Sequence, residues 1–494
     1  MLALLILLPL AAAIAILCGA SARRTAVLAT GASLILGFLF AALWSNNHDV
    51  GAMSLEVLSK PSISLSLGLF DGMSVTMMLL SVIVAFAAIF SGKCPEGREK
   101  LWYPSCLLIT AGAIGAFLST DLFFFYAFHE LALIPTFLMI GILGTGDRKQ
   151  AAWKITIYLA FGSIILLAGL LWMFSASGAD NFQFTSLLAA EIPYDAQIGI
   201  AALLIIGFGT LVSLFPFHSW AAPAYASAPA PVSMLHAGVL KKFGLFGLLR
   251  LYPLVADGIN YLIPWLIVML LGNILWVGLV TINQKRLDTM LGNSSVMHMG
   301  YIFLAFAALA EKGPIANPIA IPAAVVLMFA HGISIAMLFG LSDRIKQATG
   351  TLELRELGGL AKAAPRLAFL FGLAAMASIG LPGLANFSGE IMVFLSGFKN
   401  WVPEEGLSPV QWGTILALWG LVISAVYMLR AFRKIFQGPV VPTTENADDL
   451  NCCDRMPAVI LAVALLVVGL YPNSLLNFLT PSEPTNAPIT QSDN

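Results

Sequence analysis

Three charged residues of this sequence, Glu130, Lys242 and Glu390, fall within long apolar segments. A charged side chain at the centre of a bilayer costs about 2.5–3.5 kcal/mol on insertion scales, so such residues face other polar groups or water. Burial and neighbouring charges readily change the proton affinity of carboxylates and lysines. The chemistry that these three residues predict is therefore proton transfer through an apolar protein.

Histidines and a second lysine add titratable groups to the same segments. One buried Glu or Lys can be a packing ion pair, and one His is about as often a structural residue as a proton carrier. The prediction therefore depends on the whole set. Lys241 is ambiguous, because on a continuous helix it would point about 100° away from Lys242. The candidate proton-transfer residues are Glu130, Lys242, Glu390, His331, His298, Lys241, His236 and His218.

The composition indicates that these groups lie in a membrane. Hydrophobic residues make up 59% of the 494 residues and charged residues only 10%, against about 25% charged in soluble domains. The formal net charge of −1 argues against a nucleic-acid partner. The five cysteines show no CxxC spacing, and no dinucleotide fingerprint is present, so no cofactor, metal or disulfide framework is expected on this chain.

The apolar segments predict an all-α polytopic membrane protein with about 14 transmembrane helices, at about 20 residues per crossing. The first segment follows no basic region, so we interpret it as a spanning helix and not as a cleaved signal. The predicted spans are 2–20, 25–44, 72–91, 102–118, 121–143, 151–175, 197–217, 231–251, 257–282, 289–310, 318–342, 366–398, 409–432 and 457–473.

Two of these spans are interrupted, the seventh near Pro216 and the twelfth at 380–383. Interruptions five spans apart predict two inverted five-helix repeats, the plan of many transporters. The predicted division is 1–101 for helices 1–3, 102–251 and 252–434 for the two repeats, and 435–494 for helix 14 and a disordered tail.

The orientation follows from the basic residues of the loops. Nineteen Lys and Arg residues fall on one side of the predicted topology and four on the other. Because cytoplasmic loops carry the excess of positive charge, both termini are predicted to lie outside the cytoplasm, in a multi-pass protein of the inner (plasma) membrane.

Several short motifs resemble those of the antiporter-like membrane subunits of respiratory complex I, in the same order along nearly the whole chain. Glu390 stands where the subunit M type (mitochondrial subunit 4 type) carries a glutamate and its relatives a lysine. The matching stretches are 71–74 (DGMS), 128–131 (FHEL), 215–220 (FPFHSW), 229–231 (PAP), 237–242 (AGVLKK), 294–300 (SSVMHMG), 380–383 (GLPG) and 386–390 (NFSGE).

The resemblance implies a proton-translocating subunit of a NADH:quinone oxidoreductase. It implies that Lys242 is the central relay, that Glu130 couples the relay to a neighbouring subunit, and that Glu390 passes protons outward. The expected partners are the lipid bilayer and other membrane subunits, especially the neighbouring antiporter-like ones. NADH, FMN, iron-sulfur clusters and quinone are expected on partner subunits.

Three departures from the family pattern keep alternatives open. Leu211 stands where the family usually has the lysine that partners Glu130, and the loops 222–225 and 286–289 also differ. Lys241 or His236 are candidates to replace that lysine. The alternatives are a subunit of a multisubunit cation/proton antiporter or membrane-bound hydrogenase, and a structural subunit with a disabled channel.

Overall fold

The computed structural model describes residues 1–47, 50–399 and 401–479, and it shows a bundle of long helices. The predicted disordered tail, 480–494, lies outside the described residues. The helices are α1 (Leu4–Leu17), α2 (Ala22–Asn47), α3 (Gly72–Ser91), α4 (Glu99–Leu118), α5 (Leu122–Leu143), α6 (Arg148–Ser177), α7 (Phe184–Leu188), α8 (Tyr194–Val212), α9 (Ala221–Ser227), α10 (Ala230–Gly238), α11 (Phe243–Leu251), α12 (Ala256–Leu271), α13 (Gly278–Ile282), α14 (Leu287–Ala316), α15 (Ala320–Thr349), α16 (Leu360–Ala363), α17 (Pro365–Ile379), α18 (Ala385–Gly397), α19 (Pro409–Ala417), α20 (Trp419–Phe436), α21 (Pro442–Glu445), α22 (Cys452–Leu470) and α23 (Asn473–Leu479).

The helical membrane fold expected from the sequence is confirmed. Among the described residues, 12 helical segments are long and apolar enough to cross a bilayer. Two shorter apolar helices, α1 and α17, fall within the first and twelfth predicted spans. The total of 14 crossings and the division into inverted repeats stay predictions.

A two-stranded antiparallel hairpin between α2 and α3 was not expected. Its strands are β1 (Met53–Ser59) and β2 (Ser62–Leu67). The second strand alternates serine with apolar residues, a period of two that fits a strand with one face against the protein. The hairpin contacts the end of α4 through a bridge between Leu67 and Ser119.

Burial separates a central group of helices from an outer ring. Nearly all residues of α3, α4, α14, α15 and the α10–α11 segment are buried, whereas only about a third of the residues in the spans that contain α2, α20 and α22 are buried. Lipid tails are as apolar as leucine, so hydropathy alone does not distinguish the two groups. The central group carries Lys242 and His331, which places these two residues away from lipid.

The seventh predicted span is interrupted after α8. Ser213 adopts a left-handed conformation with φ 67°, and residues 213–220 are irregular until α9 begins. Asn273 satisfies this backbone, because its amide donates to the Ser213 carbonyl at 3.2 Å and its side-chain oxygen accepts from the Phe215 amide. Irregular backbone at membrane depth requires such protein partners.

The eighth predicted span contains an interruption that the sequence analysis did not anticipate. Helix α10 ends at Gly238, Val239 leaves helical geometry (φ −120°, ψ −64°), and residues Leu240–Lys242 form a 3₁₀ turn before α11. The continuous helix expected through Lys241 and Lys242 is therefore interrupted, although consecutive residues of a 3₁₀ turn still point in different directions. The turn instead allows both ammonium groups to be buried in the bundle interior.

The twelfth predicted span is broken into α17 and α18. Gly380 and Gly383 have φ values of 80° and 89°, which L-residues with side chains rarely adopt. The break leaves the carbonyl groups of the last turn of α17 free to accept hydrogen bonds from neighbouring helices.

Candidate functional site

Two adjacent lysines form the centre of the site. Lys241 and Lys242 are both fully buried in the 3₁₀ turn between α10 and α11. The Lys241 ammonium donates to the Ser295 hydroxyl at 3.3 Å, and the Lys242 ammonium donates to the carbonyl of Ala237. Within the described part of the chain, no carboxylate forms an ion pair with either lysine.

His331 and His298 continue the polar set from the lysines. His331 Nε2 lies 3.3 Å from the Ser295 hydroxyl, which the Lys241 ammonium also contacts. The rings of His298 and His331 stack with centroids 5.2 Å apart and an interplanar angle of 16°. Their side chains come from α14 and α15, two of the most buried helices, so the pair is shielded from lipid.

Both ring nitrogens of His298 contact backbone carbonyl oxygens. Nδ1 lies 2.8 Å from the Ser294 carbonyl, and Nε2 lies 2.9 Å from the Ser378 carbonyl. A carbonyl oxygen only accepts, so both contacts are satisfied together when both nitrogens carry hydrogen. Ser378 belongs to the last turn of α17, where the helix dipole favours a cation. The two carbonyl groups therefore hold the His298 ring between α14 and the end of α17.

Glu390 lies beside the break in the twelfth span. Its side chain is buried, and Oε1 has no hydrogen-bond partner among the described residues. A Cβ atom on Gly380 would overlap Oε2 of Glu390, so glycine at the break makes room for the carboxylate. Asn386, one turn earlier on α18, is also buried with both side-chain polar atoms unpartnered in this part of the chain. Such groups are the usual partners of buried water.

Glu130 occupies a different environment near the outside of the bundle. Its carboxylate accepts a hydrogen bond from Ser163 on α6 and lies 3.6 Å from His129 Nδ1. The Glu130 side chain is 35% exposed and lines a cavity of about 230 Å³ between α5 and α6. No hydrogen bond or ion pair joins Glu130 to Lys241 or His236 in the described structure, so neither is its direct partner.

His129 connects the Glu130 region to the lysines by packing. Its ring stacks on Phe243 with centroids 4.0 Å apart and an interplanar angle of 15°. Phe243 directly follows Lys242 and begins α11. A change around Glu130 therefore has a route to the backbone that carries the central lysine.

The two remaining predicted histidines are His236 and His218. His236 contacts Tyr225 of α9, and His218 lies within the break of the seventh predicted span. His236 Nδ1 is 3.1 Å from the hydroxyl of Tyr225, whose ring centroid is 5.7 Å from the Lys241 ammonium. His218 is half-buried and stacks on Phe215 at 5.4 Å. No hydrogen bond links His218 to the other candidate residues across the described ranges.

A polar cavity opens beneath the broken seventh span. It has a volume of about 480 Å³ and is lined by Asp147, Lys154, Ser227 and Arg286, among others. Hydrogen bonds and ion pairs with Asp288 (2.7 Å) and Glu353 (3.3 Å) raise the pKa of Arg286, which lies in the loop before α14. The cavity is on the side whose loops are predicted to be cytoplasmic.

Sequence reasoning missed several contributors to the site. Ser295, Tyr225, Ser163 and His129 were not among the candidate residues. Ser295 lies in the same motif as His298, and Tyr225 lies in the stretch 222–225 that departs from the family pattern. Both signals were present, but only the fold brings these side chains next to Lys241 and His236.

The fold and the site together define the class of protein. A polytopic helical membrane protein with buried lysines, histidines and a carboxylate beside broken helices is typical of ion-translocating proteins.

Comparison with known proteins identifies the family. Residues 119–403 match the family model described as NADH:quinone oxidoreductase/Mrp antiporter, TM. The NAD(P)H-quinone oxidoreductase chain 4 1 of Synechococcus sp. (strain JA-3-3Ab) is 34% identical over 95% of this chain and 89% of the relative. The chain therefore belongs to the NADH:quinone oxidoreductase/Mrp antiporter membrane-subunit family, as its motifs predicted.

Solved structures have the same fold. A chain of respiratory complex I from Thermus thermophilus with bound NADH is similar with a TM-score of 0.87 and 28% identity, over 97% of both chains. A chain of the Mrp complex from Dietzia sp. DQ12-45-1b has a TM-score of 0.81 and 21% identity, over 97% of this chain and 96% of that one. At that identity the second likeness concerns the fold alone.

Proposed function

We propose that this chain is a proton-translocating membrane subunit of a complex I-type NADH:quinone oxidoreductase. The observation that carries the proposal is the set of buried titratable groups between Lys242 and Glu390, bounded by broken helices on both sides. His331 stacks on His298, and His298 contacts the end of α17 beside Glu390. Family membership and the full-length relatives named as chain 4 support the same assignment.

In this proposal each charged group has a separate task. Lys242 is the central relay, and the histidine pair passes protons toward Glu390, which releases them on the outer side. Glu130 senses the neighbouring subunit, because its carboxylate is partly exposed while the other groups are buried. Coupling requires that the charge of one group favours a particular protonation state of the next.

The assembly and the topology also belong to the proposal. The redox reaction, with NADH, FMN, iron-sulfur clusters and quinone, takes place on partner subunits, and neighbouring antiporter-like subunits flank this chain. Of the two inverted repeats, 102–251 contains the break of the seventh predicted span and 252–434 contains the break of the twelfth. Both termini lie outside the cytoplasm in the inner (plasma) membrane.

The test is NADH-driven acidification of inside-out membrane vesicles that contain the complex with Lys242→Met. We expect acidification and NADH oxidation to fall together, because methionine has similar length but cannot carry a proton. Lys312→Met is the matched control, since it makes the same exchange at an exposed lysine and should change neither rate. Unchanged rates in Lys242→Met would contradict the proposal.

The same vesicles distinguish the antiporter alternative. A cation/proton antiporter subunit would support proton movement driven by a sodium or potassium gradient without NADH. If Lys242→Met abolishes that movement while NADH oxidation stays normal, the chain functions as an antiporter subunit and the complex I proposal is wrong.

A further inference from the structure

We infer that Lys241 is a second proton carrier, which passes protons through Ser295 to His331. This inference rests on the proposed function and deepens it. It gives a role to Lys241, the buried lysine next to Lys242. The chain has Leu211 where another lysine was expected. Lys241 lies next to Ser295, His331 and Tyr225 where α9, α14 and α15 meet the turn after α10.

The first step is a hydrogen-bonded route from an ammonium group to an imidazole. Lys241 Nζ donates to Ser295 Oγ at 3.3 Å, and Ser295 Oγ lies 3.3 Å from His331 Nε2. A hydroxyl group accepts and donates at once, so Ser295 relays a proton without holding charge. The ammonium gives one proton to the serine oxygen while the serine proton moves to Nε2. Lys241 becomes neutral and His331 becomes an imidazolium.

The second step concerns the supply of protons to Lys241. Tyr225, whose ring lies 5.7 Å from the ammonium, also lines a cavity of about 30 Å³ with Asp288, Asp343 and Lys346. That volume exceeds the roughly 10–15 Å³ that a cavity needs to hold one water molecule. The cavity is on the side predicted to be cytoplasmic. Tyr225 lies between this cavity and Lys241. The Tyr225 hydroxyl also contacts His236 Nδ1 at 3.1 Å.

The protonation of Lys241 is coupled to that of the neighbouring Lys242. Lys241 and Lys242 are adjacent and fully buried, and neither forms an ion pair with a carboxylate in the described part of the protein. Two buried ammonium groups repel each other, so their protonation is coupled and one shared proton is favoured over two. A proton that arrives at one lysine therefore promotes release from the other.

A purely structural role makes a different demand on residue 241. A lysine that only packs against Tyr225 and hydrogen-bonds Ser295 needs to stay a cation, and arginine also provides a cation with donors. A proton carrier must lose its charge, which arginine does not do in proteins. The pair Lys241→Met and Lys241→Arg therefore separates the two roles.

The experiment uses the assembled complex in inside-out vesicles, with NADH oxidation and acidification recorded together and assembly checked by native gel electrophoresis. We expect Lys241→Met, Lys241→Arg and Ser295→Ala each to lower acidification about tenfold or more, because a positioned proton-transfer group contributes about 10²–10⁴-fold. Ser81→Ala is the matched control, since that buried hydroxyl bonds the Met77 carbonyl of its own helix. It should leave both rates unchanged.

The outcomes distinguish the role of Lys241 from the proposed function of the chain. Normal acidification in Lys241→Arg with a loss in Lys241→Met would show a structural cation and overturn the inference. Normal rates in Ser295→Ala would overturn it as well, including in the case where the Lys241 variants fail to assemble. If Lys242→Met is impaired while Lys241→Met is normal, only this inference fails. If Lys242→Met is normal too, the proposed function fails with it.

Discussion

Gly380 and Glu390 are in direct contact across the break of the twelfth predicted span. A Cβ atom on Gly380 would overlap Oε2 of the buried Glu390 carboxylate. Gly380 therefore serves two purposes, since its φ of 80° also ends α17. The space that the carboxylate occupies depends on the missing side chain at the break.

The first prediction concerns Gly380→Ala. We expect a loss of NADH-driven acidification, because the new methyl group displaces the Glu390 carboxylate from its place beside α17. Gly383→Ala is the matched control: its φ of 89° is equally strained, but its Cβ would lie 3.6 Å from Leu470, an ordinary contact. The measurement is acidification per NADH oxidised in both variants. Equal losses would show that backbone strain, and not the carboxylate, is responsible.

The second prediction concerns the ion pair of Arg250 and Asp71 at the start of α3. The buried guanidinium donates to Asp71 at 3.0 Å and to Ser74 at 2.9 Å, and it lies 4.6 Å from the ring of Phe70. We expect Asp71→Asn to lower the free energy of unfolding by roughly 1–3 kcal/mol, because the buried Arg250 cation loses its carboxylate partner. The loss is moderated because Asp71 itself is partly exposed to solvent. Thermal unfolding of the solubilised protein measures the loss.

A double variant tests the physical reason for that loss. Asp71→Asn combined with Arg250→Met removes the stranded charge, so its melting temperature should exceed that of Asp71→Asn alone. Arg366→Met is the surface control, since the Arg366–Asp449 pair is 3.8 Å apart and the arginine side chain is 57% exposed. It should have little effect. A double variant less stable than the single one would refute the stranded-charge explanation.

The third prediction concerns Leu211, a buried residue of α8 where a lysine was expected. If Lys241 and Lys242 carry the protons, Leu211→Lys should not raise the number of protons moved per NADH. The new ammonium would instead add a cost of burial, so we expect lower yield of the assembled complex. Leu211→Met is the control of similar size. A gain in proton stoichiometry would support the alternative of a disabled channel.

The fourth prediction concerns membrane topology. Cys452 and Cys453 are exposed at the start of α22, in a loop predicted to be cytoplasmic, and Asp180 is exposed in a loop predicted to lie outside. The assay uses intact cells that contain single-cysteine variants of the protein. A membrane-impermeant maleimide should label Asp180→Cys in intact cells but should label Cys452 only after permeabilisation. The opposite labelling pattern would show that the predicted topology is inverted.

The reactivity of Cys94 provides a pH test in the same assay. Cys94 lies in the loop between α3 and α4, and burial, with a smaller effect of Glu99, raises the pKa of its thiol to about 11. Because the thiolate reacts, Cys94 in permeabilised cells should label slowly at pH 7.5 and faster as the pH rises toward 11. Rapid labelling of Cys94 at pH 7.5 would contradict this expectation.

The order of the helices and the identity of the main charges were predictable from the sequence. Apolar segments of about 20 residues indicate transmembrane helices, and the few charged residues within them are readily identified. Glu130, Lys242 and Glu390 were recognised in this way, as were the interruptions near Pro216 and at Gly380. The β-hairpin was missed because one strand pair in a loop gives a weak local signal.

Which groups act together was decided only by the tertiary structure. The 3₁₀ turn at Leu240–Lys242 was not predicted from the sequence. The Lys241–Ser295–His331 contact joins residues 54 and 36 positions apart, and the Ser163 bond to Glu130 spans 33 positions. Sequence by itself determined the membrane fold and its charged residues, because burial in lipid constrains residue type strongly. Partners were decided in three dimensions, because hydrogen bonds depend on ångström-scale distances between helices that hydropathy does not encode.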